Sequence, residues 1–363
     1  MVTHFHLASD IVTKSINLIT RASFLLALFL STEYLTASDI DYKFETDSVT
    51  SLGDAADDPA IWFNNSNPTE SLIFGTDKRK GIHVYDIYGN ELAFSKQGAT
   101  NNIDLRVIDK DVHIVVSNRT LSTLDYWIFP EENLFDYFKT NTSDPFSEDV
   151  LHHHLKANMK VYGVCMGIVD DKPYAALTEE EGPTIQLWDL TSKQVINTLD
   201  ITADETNVPK SGNEAEGCVF DDENKHLLIS REGKRGYLKA FKSDTLEMIK
   251  VVDSRDGSII GDPEGVAIYA TSDNEGYVIL SSQGSNEFNL YDRKNLTFIE
   301  KFKINGVEDT DGLDVTNNQV KGTFPNGFLV VQDGRNLPNN QNFKIISMEE
   351  VLKKKLSRLG STH

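Results

Sequence analysis

From Asp41 onward, the chain alternates short apolar runs with turn residues. The runs are four to seven residues long, as in Ser71–Gly75 and Gly81–Tyr85, and Gly, Asn or Asp separates them. Strands bounded by such turn residues are typical of all-β proteins. Only residues 147–156 and 347–359 show a helical pattern. The pattern therefore predicts an all-β domain with a short C-terminal helix.

One sequence element recurs six times along this domain. An acidic or polar residue, usually followed by Gly, precedes a short apolar strand, and the last four of these glycines are 54, 48 and 47 residues apart. The six segments begin at Asp57, Asn102, Tyr162, Glu216, Glu264 and Asp311. A period of about 50 residues with four strands per unit is the signature of a propeller, whereas most solenoids need helices. The sequence predicts a six-bladed β-propeller, closed by pairing of residues 42–52 with strands from the C-terminal end.

The N-terminal segment has a different character. Lys14 and Arg21 precede an apolar run from Ala22 to Ser31, which is short for a membrane span and typical of a signal peptide. We expect residues 1–37 to be a signal peptide and residues 38–363 to be the propeller domain. The mature protein would then be secreted or periplasmic, without stable membrane association. A buried core helix and a retained membrane anchor are the alternatives.

The charge of the chain narrows the possible partners. There are 56 acidic and 35 basic residues, for a formal net charge of −21. Such a field repels nucleic acid and anionic membranes, so we expect no nucleic-acid partner. An anion can bind only where a counter-charge is supplied, and bound divalent cations are the usual source.

The repeated acidic residues indicate where such cations would lie. The first strand of each propeller blade lines the central channel, so residues at its start converge on the axis or its mouth. The converging residues are Asp57, Asp58, Asp104, Glu216, Glu264 and Asp311. Carboxylates brought together repel one another unless cations lie among them, and many oxygen ligands suit Ca²⁺. The sequence therefore predicts several bound calcium ions.

Cysteine and histidine suggest little further chemistry. Cys165 and Cys218 are too few for a four-cysteine zinc site. They lie one residue out of phase relative to Gly163 and Gly217, which favours two free buried thiols over a disulfide. The run His152–His154 is interpreted as a solvated loop or helix end, because three consecutive histidines cannot all face one metal ion from a regular element.

The chain also resembles the β-propeller phytases between about Asp54 and Lys344. Eleven short segments match in order, and each alone is a weak signal. The segments span residues 57–62, 75–81, 101–106, 117–119, 161–163, 216–217, 262–265, 281–284, 309–314, 332–334 and 340–344. The resemblance implies a six-bladed fold and a calcium-dependent, 3-phytase-like hydrolase that releases phosphate from myo-inositol hexakisphosphate (phytate) by metal-assisted attack of water.

The resemblance also implies roles for individual residues. It assigns catalysis to Asp57, Glu216 and Glu232, and contact with substrate phosphates to Lys78, Arg79, Arg119 and Tyr162. The implied or neighbouring calcium ligands are Asp57, Asp58, Asp104, Glu216, Glu232, Asp262, Glu264, Gln283, Asp309, Asp311 and Asp314. The expected partner is a small polyphosphate substrate, and the expected oligomeric state is a monomer.

One position departs from the family pattern. Glu180 stands where the family typically carries a phosphate-binding Lys, and a carboxylate there repels phosphate or holds another cation. Two other functions therefore remain open. One is a calcium propeller of another hydrolase class, similar to lactonases and arylesterases, and the other is a non-catalytic binding propeller.

Overall fold

The computed structural model describes residues 40–147, 150–208 and 212–359. Within these residues, 24 strands form six antiparallel four-stranded sheets, arranged as the blades of a propeller. In the first five blades the strand that comes first in the sequence is innermost, and these strands line a central channel. The predicted all-β, six-bladed propeller is confirmed.

The first three blades take their strands in chain order. Blade 1 contains Ala56–Trp62 (β2), Leu72–Asp77 (β3), Gly81–Asp86 (β4) and Glu91–Ser95 (β5), with a 3-10 turn at Pro68–Glu70. Blade 2 contains Thr100–Ile108 (β6), Asp111–Asn118 (β7), Thr123–Pro130 (β8) and Leu151–Lys156 (β9), with helix Leu134–Thr140 (α1) before β9. Blade 3 contains Val161–Val169 (β10), Lys172–Glu179 (β11), Thr184–Asp189 (β12) and Gln194–Asp200 (β13).

The remaining blades complete the ring. Blade 4 contains Cys218–Asp221 (β14), His226–Arg231 (β15), Tyr237–Lys242 (β16) and Met248–Ser254 (β17). Blade 5 contains Asp262–Ala270 (β18), Gly276–Gln283 (β19), Glu287–Asp292 (β20) and Thr297–Phe302 (β21). Blade 6 contains Leu313–Thr316 (β22), Phe328–Asp333 (β23), Asn342–Ser347 (β24) and Phe44–Glu45 (β1), and the helix Met348–Leu359 (α2) follows it.

Both ends of the described propeller meet in blade 6. The N-terminal strand β1 pairs antiparallel with β24, with Phe44 opposite Ile345 and Glu45 opposite Lys344. This pairing covers an edge that an open ring would leave exposed. The predicted closure by residues 42–52 is therefore confirmed, and α2 confirms the predicted C-terminal helix.

The core is divided among the blade interfaces. A separate cluster of buried apolar side chains lies between each adjacent pair of blades in the described chain. The aromatic residues that end the third strands, such as Tyr85 and Tyr291, are fully buried in these clusters. Because every blade buries both faces, the inner strand ends are held in fixed positions around the channel.

The recurring glycines allow adjacent inner strands to approach closely. A Cβ on Gly163 would lie 1.9 Å from the Glu216 carbonyl oxygen, and one on Gly217 would lie 2.0 Å from that of Glu264. Each glycine thus faces the acidic residue that begins the next blade. Neighbouring inner strands are therefore shifted by one residue from a register in which their glycines would face each other.

This offset corrects the prediction of two free thiols. Gly163 lies beside Glu216 and not beside Gly217. Cys165 follows Gly163 by two residues and Cys218 follows Glu216 by two residues, so the two cysteines also lie side by side. They form a disulfide with a Cα–Cα distance of 5.6 Å. The disulfide links the inner strands of blades 3 and 4.

The predicted helix at residues 147–156 is also wrong. Residues 151–156 form β9, the outermost strand of blade 2, and the helix of this insertion lies earlier, in α1. His152–His154 therefore lies on a strand and not in a loop or at a helix end. The predicted signal peptide, residues 1–37, lies outside the described residues. Among the described residues, no helix has the length and apolar character needed to cross a membrane.

Candidate active site

One end of the channel collects polar side chains from all six blades. The first strand of a blade begins at this end, and the antiparallel second strand ends there. We call these side chains the mouth cluster. From the starts of the inner strands it contains Asp57, Asn101, Tyr162, Glu216, Glu264 and Asp311, and from the ends of the second strands Lys78, Arg119, Glu180, Glu232 and Gln283.

Three carboxylates lie at the centre of the mouth cluster. Glu216, Glu232 and Glu264 each offer an oxygen, and these oxygens lie within 4.8 Å of one another. Burial and the neighbouring carboxylates raise the pKa of Glu232 to about 9 and hold that of Glu264 well above its ordinary value. No donor among the described residues reaches Glu232 Oε1 or Glu264 Oε2. Several buried acceptors without donors fit a hard cation that takes oxygen ligands.

A second acidic group surrounds a lysine. Lys78 Nζ lies 3.0 Å from Asp57 Oδ1, 3.1 Å from Asp311 Oδ2 and 2.9 Å from Asp54 Oδ1. Burial raises the pKa of Asp57 to about 8 and that of Asp311 to about 7, although Lys78 opposes both shifts. Burial alone would lower the pKa of Lys78, but Asp57 and Asp311 raise it, so the ammonium remains charged. The Gln283 amide nitrogen also donates to Asp311.

The neighbouring blade 2 contributes a guanidinium to the mouth. Arg119 Nη1 donates to Asn101 Oδ1 at 3.2 Å, Nη2 donates to Glu180 Oε1, and the guanidinium carbon lies 5.5 Å from the centre of the Tyr162 ring. Glu216 in turn accepts hydrogen bonds from Asn101 Nδ2 and the Tyr162 hydroxyl, both at 3.0 Å. Arg119 is therefore joined to the acidic centre through neutral side chains and held on its other side by Glu180.

Three predicted calcium ligands lie deeper in the channel. Asp58, Asp104 and Asp314 line a cavity of about 240 Å³, together with Arg106 and Asp222. Asp104 accepts the backbone N–H of Met166 from the next blade, and Asp314 accepts that of Ile61, at 2.8 and 2.7 Å. Burial raises the pKa of Asp314 to about 7. The structure does not bring these carboxylates to the mouth, and their hydrogen bonds link adjacent blades.

The remaining predicted residues lie on the rim and contact other partners. Asp262 Oδ1 accepts hydrogen bonds from the Gly233 N–H and from Arg255. Asp309 Oδ2 accepts one from Arg335 Nε at 2.9 Å. Arg79 is exposed and donates to the Asp54 carbonyl oxygen at 2.8 Å. These three residues are not joined to the acidic centre by a direct hydrogen bond or ion pair among the described contacts.

Two residues of the site were missed in the sequence. Asn101 is the blade 2 counterpart of Glu216. The repeat placed the start of the blade 2 segment at Asn102 and its converging carboxylate at Asp104, because no glycine follows Asn101 to mark the register. Asp54 lies in the loop before β2, which brings its carboxylate next to Lys78, and this residue is not part of the sequence repeat. Aligning the six strand starts would have found Asn101, whereas Asp54 required the structure.

Comparison with known proteins places this arrangement in a family. A sequence-family model described as Phytase matches residues 9–360. The 3-phytase of Bacillus subtilis (strain 168) is 31% identical over 366 positions, covering 94% of this chain and 93% of that protein. A solved luciferin-regenerating enzyme aligns over 82% of this chain and 92% of its own, with a TM-score of 0.53 and 12% identity, which shows a shared fold alone. The chain belongs to the phytase family of phosphoric monoester hydrolases.

Proposed function

We propose that this protein is a calcium-dependent enzyme that hydrolyses phosphate monoesters of phytate. The observation that carries this proposal is the mouth cluster, where buried carboxylates with open oxygens lie beside Lys78 and Arg119. Such a site can load cations and then hold an anion. The likeness to a 3-phytase supports phytate as the substrate.

The proposed calcium ligands at the mouth are oxygen donors from several blades. Asp57, Glu216, Glu232, Glu264 and Asp311 would supply carboxylates, and Gln283 a neutral carbonyl oxygen, which suits calcium and not zinc. Bound calcium would neutralise these carboxylates, polarise the substrate phosphate and lower the pKa of a coordinated water. Asp58, Asp104 and Asp314 are proposed to serve a separate cation in the channel cavity, and Asp262 and Asp309 would contribute only from the rim.

Charge balance at the mouth links cation loading to substrate binding. Asp57 and Asp311 now neutralise Lys78 by direct contact. Once those carboxylates also bind a cation, less negative charge neutralises the Lys78 ammonium, which can then bind a phosphate oxygen. Arg119 would hold a second phosphate through its planar fork, and Tyr162 would orient Arg119 through its ring.

The acidic centre would handle the attacking water. Asp57 contacts Lys78. Glu216, which lies close to Glu232, is linked to Arg119 through Asn101. Carboxylate oxygens of all three acidic residues can accept a hydrogen bond from a water molecule. The Tyr162 hydroxyl fixes the orientation of Glu216 by donating to its Oε2. We propose that these carboxylates orient the water for in-line attack on phosphorus and accept its proton. The P–O bond to the inositol ring then breaks, and the leaving oxygen takes up a proton from solvent.

A substrate panel tests the proposal. Phytate, a simple phosphate monoester and a lactone are each incubated with purified protein in calcium or in excess chelator. Release of inorganic phosphate from phytate only in calcium is the expected result. Lactone hydrolysis without phosphate release would indicate the other hydrolase class, and no turnover of any substrate would indicate a binding propeller.

Export is proposed together with this activity. The apolar N-terminal run supports a signal peptide, and the Cys165–Cys218 disulfide is typical of oxidising compartments. A secreted or periplasmic enzyme would also meet calcium at the concentrations that a multi-ion site requires. Cell fractionation, combined with N-terminal sequencing of the mature protein, tests this proposal.

A further inference from the structure

A second cluster of metal-ligating side chains lies on the outer edge of blade 2. His152 and His154 are two residues apart on β9, so both side chains point to the same face of the sheet. Asp125 on β8 is paired directly with His154, and Trp127 with His152. His153 pairs with Tyr126 and points to the opposite face. Two histidines and one carboxylate therefore share one surface.

The three side chains are in contact. His154 Nδ1 lies 2.6 Å from Asp125 Oδ1, and the His152 and His154 ring centres are 4.1 Å apart. One potential ligand atom from each residue lies within 4.8 Å of the other two. Ligand atoms of a tetrahedral zinc site are about 3.3 Å apart, so small side-chain rotations would bring these three atoms to the separations that a bound ion requires.

The surroundings hold the ligands in place. The side chain of Asp125 is fully buried, and it accepts hydrogen bonds from Thr123 Oγ1 at 2.6 Å and Asn118 Nδ2 at 2.8 Å. The His152 ring is stacked on Trp127, with a centroid distance of 4.4 Å and an interplanar angle of 9°. Such supporting contacts fix ligand orientation in metal sites. His154 is 45% exposed, which leaves access for an ion and for water as a further ligand.

We propose that Asp125, His152 and His154 form a binding site for a divalent transition metal ion of the zinc class. Imidazole nitrogen suits zinc and its neighbours, whereas calcium prefers oxygen ligands, so this site would not compete with the mouth for the same ion. The ion would take the place of the hydrogen that now joins His154 to Asp125. It would tie the edge strand β9 to β8 and so stabilise the outer edge of blade 2.

Metal titration of matched variants tests this site. The full-length protein is stripped with chelator, saturated with calcium to fill the mouth, and titrated calorimetrically with Zn²⁺. His152→Phe removes a ligand but keeps a ring to stack on Trp127, and His153→Phe is the matched control on the other face. We expect one zinc site per chain in the wild type, at least about a hundredfold weaker binding in His152→Phe, and unchanged binding in His153→Phe.

Two further readouts keep the test decisive. Zinc should raise the melting temperature of the wild type and of His153→Phe but not of His152→Phe, and Co²⁺ should give the visible absorption of a low-coordinate imidazole site only in the first two. Phosphate release in calcium should be the same in all three proteins, which shows that each is folded. Absence of stoichiometric zinc binding, or equal binding in His152→Phe and the wild type, would overturn the proposal.

Discussion

Glu180 accepts a hydrogen bond from the guanidinium of Arg119, the side chain that we propose holds a substrate phosphate at the channel mouth. Both side chains are partly exposed, at 25% for Glu180 and 31% for Arg119. On the proposed function, the carboxylate would compete with phosphate for the same donor, in a position where the family resemblance leads one to expect a lysine. The contact lies within the mouth cluster, since Arg119 also contacts Asn101 and Tyr162.

Replacing Glu180 should strengthen substrate binding. Glu180→Gln removes the negative charge beside Arg119 and keeps the size of the side chain, so KM for phytate should fall. Glu180→Lys should lower it further by adding a second cation. Steady-state phosphate release at fixed free calcium measures both effects. If Glu180 instead holds a cation, both variants would lose activity and require more calcium, which would contradict this account.

Removing the guanidinium should have the opposite effect. Arg119→Ala should lower kcat/KM by roughly one to three decades, the worth of a charge-assisted contact in a partly desolvated site. Arg79→Ala is the comparison. The resemblance also assigns Arg79 to phosphate contact, but Arg79 is exposed and contacts the Asp54 carbonyl oxygen, so its replacement should cost less. Equal losses in the two variants would mean that general positive charge, and not the Arg119 contact, matters.

The raised pKa values predict an unusual pH dependence of stability without calcium. Burial raises the pKa of Asp57 to about 8 and of Glu232 to about 9, from ordinary values of 3.8 and 4.5. Between these limits the folded chain holds more protons than the unfolded chain. The stabilising contribution is therefore fully present below about pH 4 and is lost as the pH rises through 8 to 9.

Calcium should reverse this trend. Because the ion binds ionised carboxylates, calcium binding near neutral pH should release protons. Calcium should therefore raise the melting temperature more at about pH 8 than at about pH 5. Thermal unfolding at both pH values, with calcium and with chelator, gives the comparison. A melting temperature in chelator that rises from pH 5 to pH 8 would argue against buried, protonated carboxylates.

The disulfide should contribute measurably to stability. Cys165 and Cys218 are 53 residues apart, and crosslinks that close loops of this size stabilise by about 2–4 kcal/mol. The double variant Cys165→Ala and Cys218→Ala should lower the free energy of unfolding by that amount, measured by denaturant titration in saturating calcium. A change below about 0.5 kcal/mol, the usual effect of a neutral substitution, would mean that the crosslink adds little.

Much of the fold was predictable because each blade repeats the same sequence pattern. The acidic residue, the glycine and the apolar strand recur with the blades, and closure follows from the need to cover an edge. Glu216 and Glu264 could be predicted to lie at the channel mouth for the same reason, whereas Lys78 was implied only by the family resemblance. Their positions at strand ends are local features, repeated in each blade.

The misplaced residues depend on contacts between strands, either within one blade or between neighbouring blades. The one-residue offset of neighbouring inner strands brings Cys165 to Cys218, and alternation within a single strand contains no information on that offset. Pairing with β8 makes residues 151–156 a strand despite their helix-like pattern. The Arg119–Glu180 contact likewise joins two blades. Sequence reasoning located the mouth of the channel but not the pairings within it.

The most direct test of the central claim is phosphate release from phytate as a function of free calcium, in the wild type and in Glu264→Gln. Glu247→Gln is the matched control, since Glu247 is exposed in the turn between β16 and β17 and contacts only Lys242 among the described ion pairs. We expect no release in chelator, activation by calcium, and a midpoint shifted to at least about tenfold higher calcium in Glu264→Gln but not in Glu247→Gln. A rate independent of calcium, or the same midpoint in all three proteins, would contradict the claim.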